Sequence, residues 1–150
     1  MSQSLAKNLV HLIYSTKNRA PCFYREVQVR LFAYQAGILN EWEIPALVIG
    51  GVSDHVHALF VLSKNHALAK VIEEVKKGSS KWLKTQGSEF RDFHWQAGYG
   101  AFSVSQSNVD EVRRYIEQQE EHHRIRSFQE EFLAFLKRHG MEYDERYLWD

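Results

Sequence analysis

Apolar and polar positions alternate along the chain in two patterns, one typical of strands and one of helices. Short apolar runs ended by polar or glycine residues predict strands at residues 9–14, 44–49 and 56–62, and in the second half of 93–105. Apolar residues spaced three and four apart predict helices at 25–39, 67–83, 108–122 and 128–137.

The resulting order is β-α-β-β-α-β with two more helices after it. This order predicts an α+β fold with a ferredoxin-like (split β-α-β), RRM-like antiparallel sheet and extra C-terminal helices. The short linker after Gly50 and Gly51 predicts a hairpin of the second and third strands. Asn108, followed three positions later by Glu111, predicts an N-cap and a capping box.

Length and composition indicate which class of protein the chain belongs to. A chain of 150 residues with 44% hydrophobic and 25% charged residues is expected to form one soluble domain over 1–150. The single cysteine, Cys22, excludes an internal disulfide framework and favours a reducing compartment. The first eight residues do not resemble a signal peptide, and the longest apolar runs are too short to span a membrane. We therefore expect a cytoplasmic protein.

Charge is balanced overall, with 19 basic and 19 acidic residues, which by itself argues against a nucleic-acid partner. The balance hides an asymmetry, since residues 1–109 carry 12 Lys/Arg and 8 Asp/Glu, or +4, whereas residues 110–150 carry 7 and 11, or −4. The total charge therefore does not exclude DNA.

His55 and His57 flank Val56 in the predicted third strand. Residues two apart on a strand point to the same face, so both imidazoles can reach one metal ion. A pair of strand histidines half-buried at a sheet edge explains the same pattern, and without further support is the commoner case. The strand is apolar on both faces toward its end, which indicates that a later helix or another subunit covers the histidine face.

Tyr115 and Gln119 are four apart on a predicted helix and so are neighbours on one face. A tyrosine at this position can be a nucleophile that stores a covalent intermediate, or an amphipathic residue at the rim of the core. The adjacent His122 and His123 diverge by about 100° on a helix, which is poor for chelation. We therefore expect these two histidines on the surface or facing DNA.

Lysines surround the predicted helix at 67–83. Basic residues interleaved with an aromatic ring suit single-stranded nucleic acid, although most lysine runs are only a solvated helix face. The residues we select as nucleic-acid contacts on charge alone are Lys17, Arg19, Lys76, Lys77, Lys81 and Trp82.

Several separated motifs resemble one family in the same order over essentially the whole chain. They are the opening at 11–19, the histidine pair at 54–57, the aromatic and small-residue segment at 95–105, the tyrosine helix at 115–123 and the ending at 128–149. The sequence is similar to the single-tyrosine HUH transposases, the small transposases of the 200/605 group of insertion sequences. It keeps the key positions of that family.

The resemblance implies a bacterial or archaeal enzyme that cleaves and rejoins single-stranded DNA at the ends of a mobile element. It implies that His55, His57 and Gln119 bind a divalent metal, Mg²⁺ or Mn²⁺, and that Tyr115 forms a 5′-phosphotyrosine link. It also implies recognition of DNA hairpins by a homodimer whose active site is built within one subunit or shared between two. The domain would then carry its nucleophile helix at 108–123 and a C-terminal helix and tail at 127–150.

Two other functions fit parts of the pattern. One is a related HUH nicking enzyme, or a domesticated transposase acting on repeats. The other is a non-catalytic module that binds single-stranded nucleic acid, in which stacking aromatic residues would lie on the exposed sheet face. Two histidines and aliphatic residues on that face argue against the binding module.

Overall fold

One antiparallel sheet organises the chain in the computed structural model, which describes residues 2–150. Its strands are β1 (Asn8–Ser15), β2 (Ala46–Gly51), β3 (His55–Leu62) and β4 (Gly100–Val104), in the order β2-β3-β1-β4. This order places the first and third strands side by side at the centre, as the split β-α-β arrangement requires. The structure confirms the predicted α+β fold class and the hairpin between β2 and β3.

Six α-helices surround this sheet in the described part of the chain. They are α1 (Arg25–Glu41), α2 (Leu68–Leu83), α3 (Val109–Glu117), α4 (Gln119–His122), α5 (Phe128–Arg138) and α6 (Glu145–Leu148). Helices α1 and α2 are the two crossover helices of the fold, and the other four follow the last strand. Single 3₁₀ turns occur at Lys17–Arg19, Ser88–Phe90 and Gln106–Asn108.

Three local predictions were wrong. The second strand begins two residues later than expected, because Ile44 and Pro45 precede the sheet and Ile44 packs into the core. Asn108 is the N-cap residue of α3, as predicted, but its side chain makes no capping hydrogen bond, because a 3₁₀ turn leads directly into the helix. The predicted continuous helix to His122 is divided at Gln118, whose backbone is non-helical (φ −103°, ψ 24°).

Strand alternation gives the sheet two different faces. Val10, Leu12 and Tyr14 on β1 join Val56 and Phe60 on β3 in the main apolar core, packed against α1 and α2. The other face is covered by α3, α4 and α5 of the same chain. Its apolar residues form two smaller clusters, around Phe128 and Phe132 and around Leu59 and Ile116.

Gly50 allows α3 to lie close to the sheet. A Cβ atom at this position would come within 2.7 Å of the Ile116 carbonyl oxygen, so a side chain here would push α3 away. The close packing brings α3 over β2 and β3. No helix within residues 2–150 is long and apolar enough to cross a membrane.

Candidate functional site

β1 and β3 place three histidines on the face covered by α3 to α5. His55 lies opposite Ser15 and His57 opposite Ile13, while His11 lies diagonally across from His57. All three histidines are buried. A strand with alternating side chains places such residues on one face at fixed spacing, as predicted for His55 and His57.

The break between α3 and α4 turns Gln119 inward. Gln119 is buried, and its Oε1 lies 3.0 Å from His55 Nε2. Its Nε2 donates to Glu131 Oε2 at 3.2 Å, which orients the amide with its oxygen toward the histidine. Tyr115, one turn earlier, has its ring 5.8 Å from that of His57. The structure therefore brings together within one chain the four residues that the sequence suggested.

Glu131, on α5, lies at the centre of this group and is a residue that sequence reasoning missed. Its Oε1 is 2.9 Å from His57 Nε2 and 3.5 Å from His55 Nε2, and its Oε2 accepts a hydrogen bond from the Tyr115 hydroxyl. A signal was available, because Glu131 interrupts the apolar stripe that Phe128 and Phe132 form on α5. A carboxylate at a core position of an amphipathic helix needs buried partners.

His123 corrects another prediction, since we expected it on the surface or facing DNA. Its ring lies 4.3 Å from that of His55, and its Nε2 is 3.2 Å from Glu131 Oε1. The ring of His122 stacks on Tyr115 at 4.4 Å. Both histidines contact the site, His122 as the last residue of α4 and His123 as the residue that follows it.

The site surrounds the Glu131 carboxylate with several imidazoles. Burial alone would raise the pKa of Glu131, but the charge of His57 and hydrogen bonds with His123 and His57 outweigh it and hold the pKa well below its usual range. Burial lowers the pKa of His57, against the opposing charge of Glu131, and burial lowers that of His11 as well. Burial therefore favours the uncharged form of His11 and His57, whereas contact with the imidazoles favours the ionised form of Glu131.

Tyr115 is held in its protonated form. Burial raises the pKa of its hydroxyl, and the charge of Glu131 together with their hydrogen bond raises it further. A phenol in this state is a weak nucleophile. It can attack an electrophile when its proton is removed as the new bond forms.

The donor set suits a divalent cation. His55 Nδ1 lies 2.7 Å from Asp54 Oδ1, so this nitrogen donates, and in the neutral ring the lone pair is then on Nε2. That lone pair faces Gln119 Oε1 at 3.0 Å and Glu131 Oε1 at 3.5 Å, which are also acceptors. Buried acceptors this close repel one another unless a proton or a cation lies between them. The ligand atoms of His55, His57, His123 and Glu131 all lie within 4.8 Å of one another.

A cavity of about 370 Å³ opens beside the nucleophile candidate. Its lining includes Tyr115, Glu131 and His11, with exposed Arg126 and Arg138 at its walls. Among residues 2–150 neither arginine forms an ion pair. The cavity therefore joins the buried site to the surface between two arginines, with the exposed Glu111 also in its lining.

The residues selected as nucleic-acid contacts lie apart from this cavity. Lys76 donates to the carbonyl oxygens of Gln96 (2.9 Å) and Gly98 (2.7 Å), and burial lowers its pKa to about 8. Lys77 pairs with Glu74, whereas Lys81 is exposed near Trp82. Lys17 and Arg19 belong to the 3₁₀ turn after β1, where Arg19 lies over the Trp149 ring. The structure brings these residues into no single cluster.

Comparison with known proteins assigns the family. A family model for IS200-like transposases matches residues 4–119. The chain belongs to the IS200-like transposase family. The match includes His55, His57, Tyr115 and Gln119 and ends before α5, so Glu131 and His123 lie outside the matched residues.

Solved structures share the fold of this transposase at low sequence identity. A transposase candidate from Deinococcus radiodurans R1 has 21% identity and a TM-score of 0.62, covering 79% of this chain and 98% of its own. A REP-associated tyrosine transposase bound to a REP hairpin has 13% identity and a TM-score of 0.62, covering 82% of this chain and 74% of its own. No curated protein sequence matches the chain.

Proposed function

We propose that this transposase cleaves and rejoins single-stranded DNA through a covalent bond to Tyr115, in a reaction that requires Mg²⁺ or Mn²⁺. The observation that carries the proposal is the convergence of Tyr115, His55, His57 and Gln119 on one carboxylate, Glu131, in one chain. These are a nucleophile, a proton acceptor and ligands for a hard cation in contact with one another. The enzyme would act in the cytoplasm.

His55, His57 and Gln119 would hold the metal, with Glu131 as a further oxygen ligand and His123 at the edge of the site. The ion, when bound, would polarise the scissile phosphate and offset the negative charge that develops on it. Asp54 fixes the orientation of His55 through its Nδ1. The carboxylate of Glu131 supplies negative charge that would attract a cation to the imidazole and amide ligands around it.

Tyr115 would carry the covalent step. Its oxygen forms a bond to phosphorus while the bond from phosphorus to the 3′ oxygen breaks, giving a 5′-phosphotyrosine and a free 3′-hydroxyl. The phenol proton leaves through its hydrogen bond to Glu131 Oε2 and passes on to solvent in the cavity, and the departing 3′ oxygen takes up a proton from solvent. A 3′-hydroxyl from another DNA end reverses the same steps, so no nucleotide cofactor is required.

The strand would reach Tyr115 through the cavity beside it. His55, His57, Gln119 and Glu131 are all buried beneath α3 to α5, whereas Tyr115 borders the opening. Arg126 and Arg138 at that opening suit a phosphodiester backbone, because a guanidinium can donate two parallel hydrogen bonds to the oxygens of one phosphate. They also offset the acidic character of the segment that contains Tyr115.

Hairpin-bearing DNA is the substrate we propose. The REP-associated relative of the same fold is bound to a hairpin, and the chain carries a +4 charge over residues 1–109. Lys17, Arg19, Lys77, Lys81 and Trp82 remain our candidates for the hairpin contacts, together with Lys76, whose ammonium is largely engaged by carbonyl groups.

The test is adduct formation. The purified protein is incubated with hairpin-bearing single-stranded oligonucleotides and Mg²⁺, and denaturing gels detect a protein–DNA adduct. We expect an adduct with the wild type that is lost in EDTA and in Tyr115→Phe. Tyr147→Phe, which removes the hydroxyl of an exposed tyrosine, is the matched control and should keep the adduct. Persistence in Tyr115→Phe would place the nucleophile elsewhere, and hairpin binding without any adduct would favour the non-catalytic module.

A homodimer remains part of the proposal, and mixing inactive variants tests how its sites are built. Tyr115→Phe and His57→Ala would each be inactive alone. If subunits exchange their nucleophile helices, a mixed dimer regains one intact site and forms adduct. If each site is built within one chain, as the contacts of Tyr115 with Glu131 favour, the mixture stays inactive. Light scattering gives the oligomeric state of each sample.

A further inference from the structure

His11 occupies the site face of β1 without any of the roles described so far. Its Nε2 lies 2.8 Å from His57 Nδ1, and the two ring centroids are 5.0 Å apart. The Phe135 ring packs edge-on against His11 at 5.1 Å, which limits its rotation. His11 is 2% exposed. A buried imidazole needs a hydrogen-bond partner, and for His11 that partner is a candidate metal ligand.

The two ligand histidines have different partners on their outer nitrogens. His55 Nδ1 meets the Asp54 carboxylate, which can only accept, so the His55 tautomer is set. His57 Nδ1 meets an imidazole, and a neutral imidazole nitrogen either donates or accepts depending on its own tautomer. His57 can therefore carry its proton on either nitrogen and remain hydrogen-bonded.

We propose that His11 is a positioning residue that keeps His57 hydrogen-bonded in both of its tautomers and thereby allows its Nε2 to become a metal ligand. The inference rests on the proposed function. In the first arrangement His11 Nε2–H donates to His57 Nδ1, and His57 Nε2–H donates to Glu131 Oε1 at 2.9 Å. In the second, His57 Nδ1–H donates to His11 Nε2, and His57 Nε2 offers its lone pair to the cation.

The proton count is the same in both arrangements. A neutral imidazole carries one proton, so between two neutral rings the exchange moves a proton from one nitrogen to the other in each ring and leaves the net charge unchanged. His11 borders the cavity beside Tyr115, where solvent can relay its proton. A residue that can only donate would hold His57 in the first arrangement, and an apolar residue would leave Nδ1–H without a partner in the second.

Substitution of His11 tests this role in the absence of DNA. In His11→Phe we expect the affinity for Mn²⁺, measured by electron paramagnetic resonance of the free ion, to fall about 10–100-fold. His11→Gln, whose amide can donate or accept, should stay within about threefold of the wild type. His11→Asn is too short to reach His57 and should resemble His11→Phe. His94→Gln, at an exposed histidine outside the site, is the control.

Nitrogen-15 NMR of the imidazoles provides a readout that a merely structural role would not change. Saturating Mg²⁺ should move the His57 proton from Nε2 to Nδ1 in the wild type and in His11→Gln, but not in His11→Phe or His11→Asn. If His11→Phe and His11→Asn bind Mn²⁺ as tightly as the wild type, or if Mg²⁺ moves the His57 proton in both variants as in the wild type, the proposed role of His11 is wrong. The metal-dependent function would not be affected by that result. A wild-type protein that binds neither ion would overturn this role and the metal-dependent function together.

Discussion

The two faces of β1 and β3 use the same strands for opposite purposes. On the face toward α1 and α2, the side chains of Val10, Leu12, Val56 and Phe60 form an apolar core. On the face toward α3 to α5, His11, His55 and His57 occupy equivalent positions and surround an ionised Glu131. Both faces are equally buried, so burial alone does not distinguish a core from a reactive site.

Two tyrosines, one on each face, illustrate the difference between the core and the reactive site. Tyr14 on the core face and Tyr115 over the site face both have a pKa that is raised by burial. Tyr14 accepts a hydrogen bond from Gln35 Nε2 at 2.7 Å and packs edge-on against Trp95, in contact with no carboxylate. Tyr115 donates to Glu131 beside a cavity that opens to solvent. A raised pKa therefore marks a buried hydroxyl, and the neighbouring base and access identify the nucleophile candidate.

The largest expected effect is on the core face. Phe60→Ala removes a fully buried ring from the main core and should lower the free energy of unfolding by about 3–5 kcal/mol. Urea denaturation of the metal-free protein measures this loss. Tyr147→Ala, at an exposed position, should stay within about 0.5 kcal/mol of the wild type. A loss below about 1 kcal/mol for Phe60→Ala would mean that this face contributes little to stability.

The next effect separates the site face from the core. Mn²⁺ at a hundred times its dissociation constant should raise the free energy of unfolding by about 2.7 kcal/mol, because it binds the folded state. His55→Ala removes a ligand and should abolish this gain at the same ion concentration, whereas His94→Ala should retain it. Paired urea titrations with and without Mn²⁺ provide the measurement. An equal gain in His55→Ala would place the ion outside the histidine cluster.

Acid should weaken the site face before the core. In the unfolded chain, His11 and His57 become protonated as the pH falls below their ordinary pKa of about 6.5. In the folded state their pKa is lower, so protonation requires a lower pH. Stability of the metal-free protein should therefore fall as pH drops below about 6.5. Because the folded-state pKa of Glu131 is also lowered, a further loss begins near its unfolded value of about 4.3.

One variant on each face tests which face causes the loss of stability in acid. His11→Gln removes one of the buried histidines and should flatten the loss between about pH 6.5 and 5. Tyr14→Phe lacks a group that titrates in this range and should leave the slope unchanged. Urea midpoints measured at half-unit pH steps supply the comparison. An unchanged slope in His11→Gln would mean that His11 does not contribute to the acid sensitivity.

The smallest effect concerns the outer surface of α2. Lys81→Ala should weaken hairpin binding by a few-fold and reduce the slope of log affinity against log salt by about 0.7–0.9, the value of one phosphate contact. Lys70→Ala is the control, since Lys70 pairs with Glu74 at 3.2 Å on the same helix. Fluorescence anisotropy at several salt concentrations measures both. Unchanged binding by Lys81→Ala would move the DNA surface toward Arg126 and Arg138.

The sequence predicted the parts of the site that depend on local periodicity. A spacing of two on β3 was sufficient to place His55 and His57 on one face, and a spacing of four placed Tyr115 beside Gln119. The break at Gln118 was not predicted, since no glycine or proline marks it. His123 was assigned to the surface because adjacent residues on a regular helix diverge by about 100°, which is poor for chelation.

Periodicity and motifs by themselves determined the fold class, the strand order and the family resemblance, because these depend on patterns that repeat over a few residues. Only the tertiary structure decided that Glu131 of α5 and His11 of β1 complete the site. The separations in sequence from His57 are 74 residues for Glu131 and 46 for His11. The first contact arises when α5 packs on the sheet, and the second when β1 pairs with β3. A polar residue in an apolar stripe indicates, from the sequence alone, that its side chain needs a buried partner. Which residue becomes that partner is determined by tertiary packing.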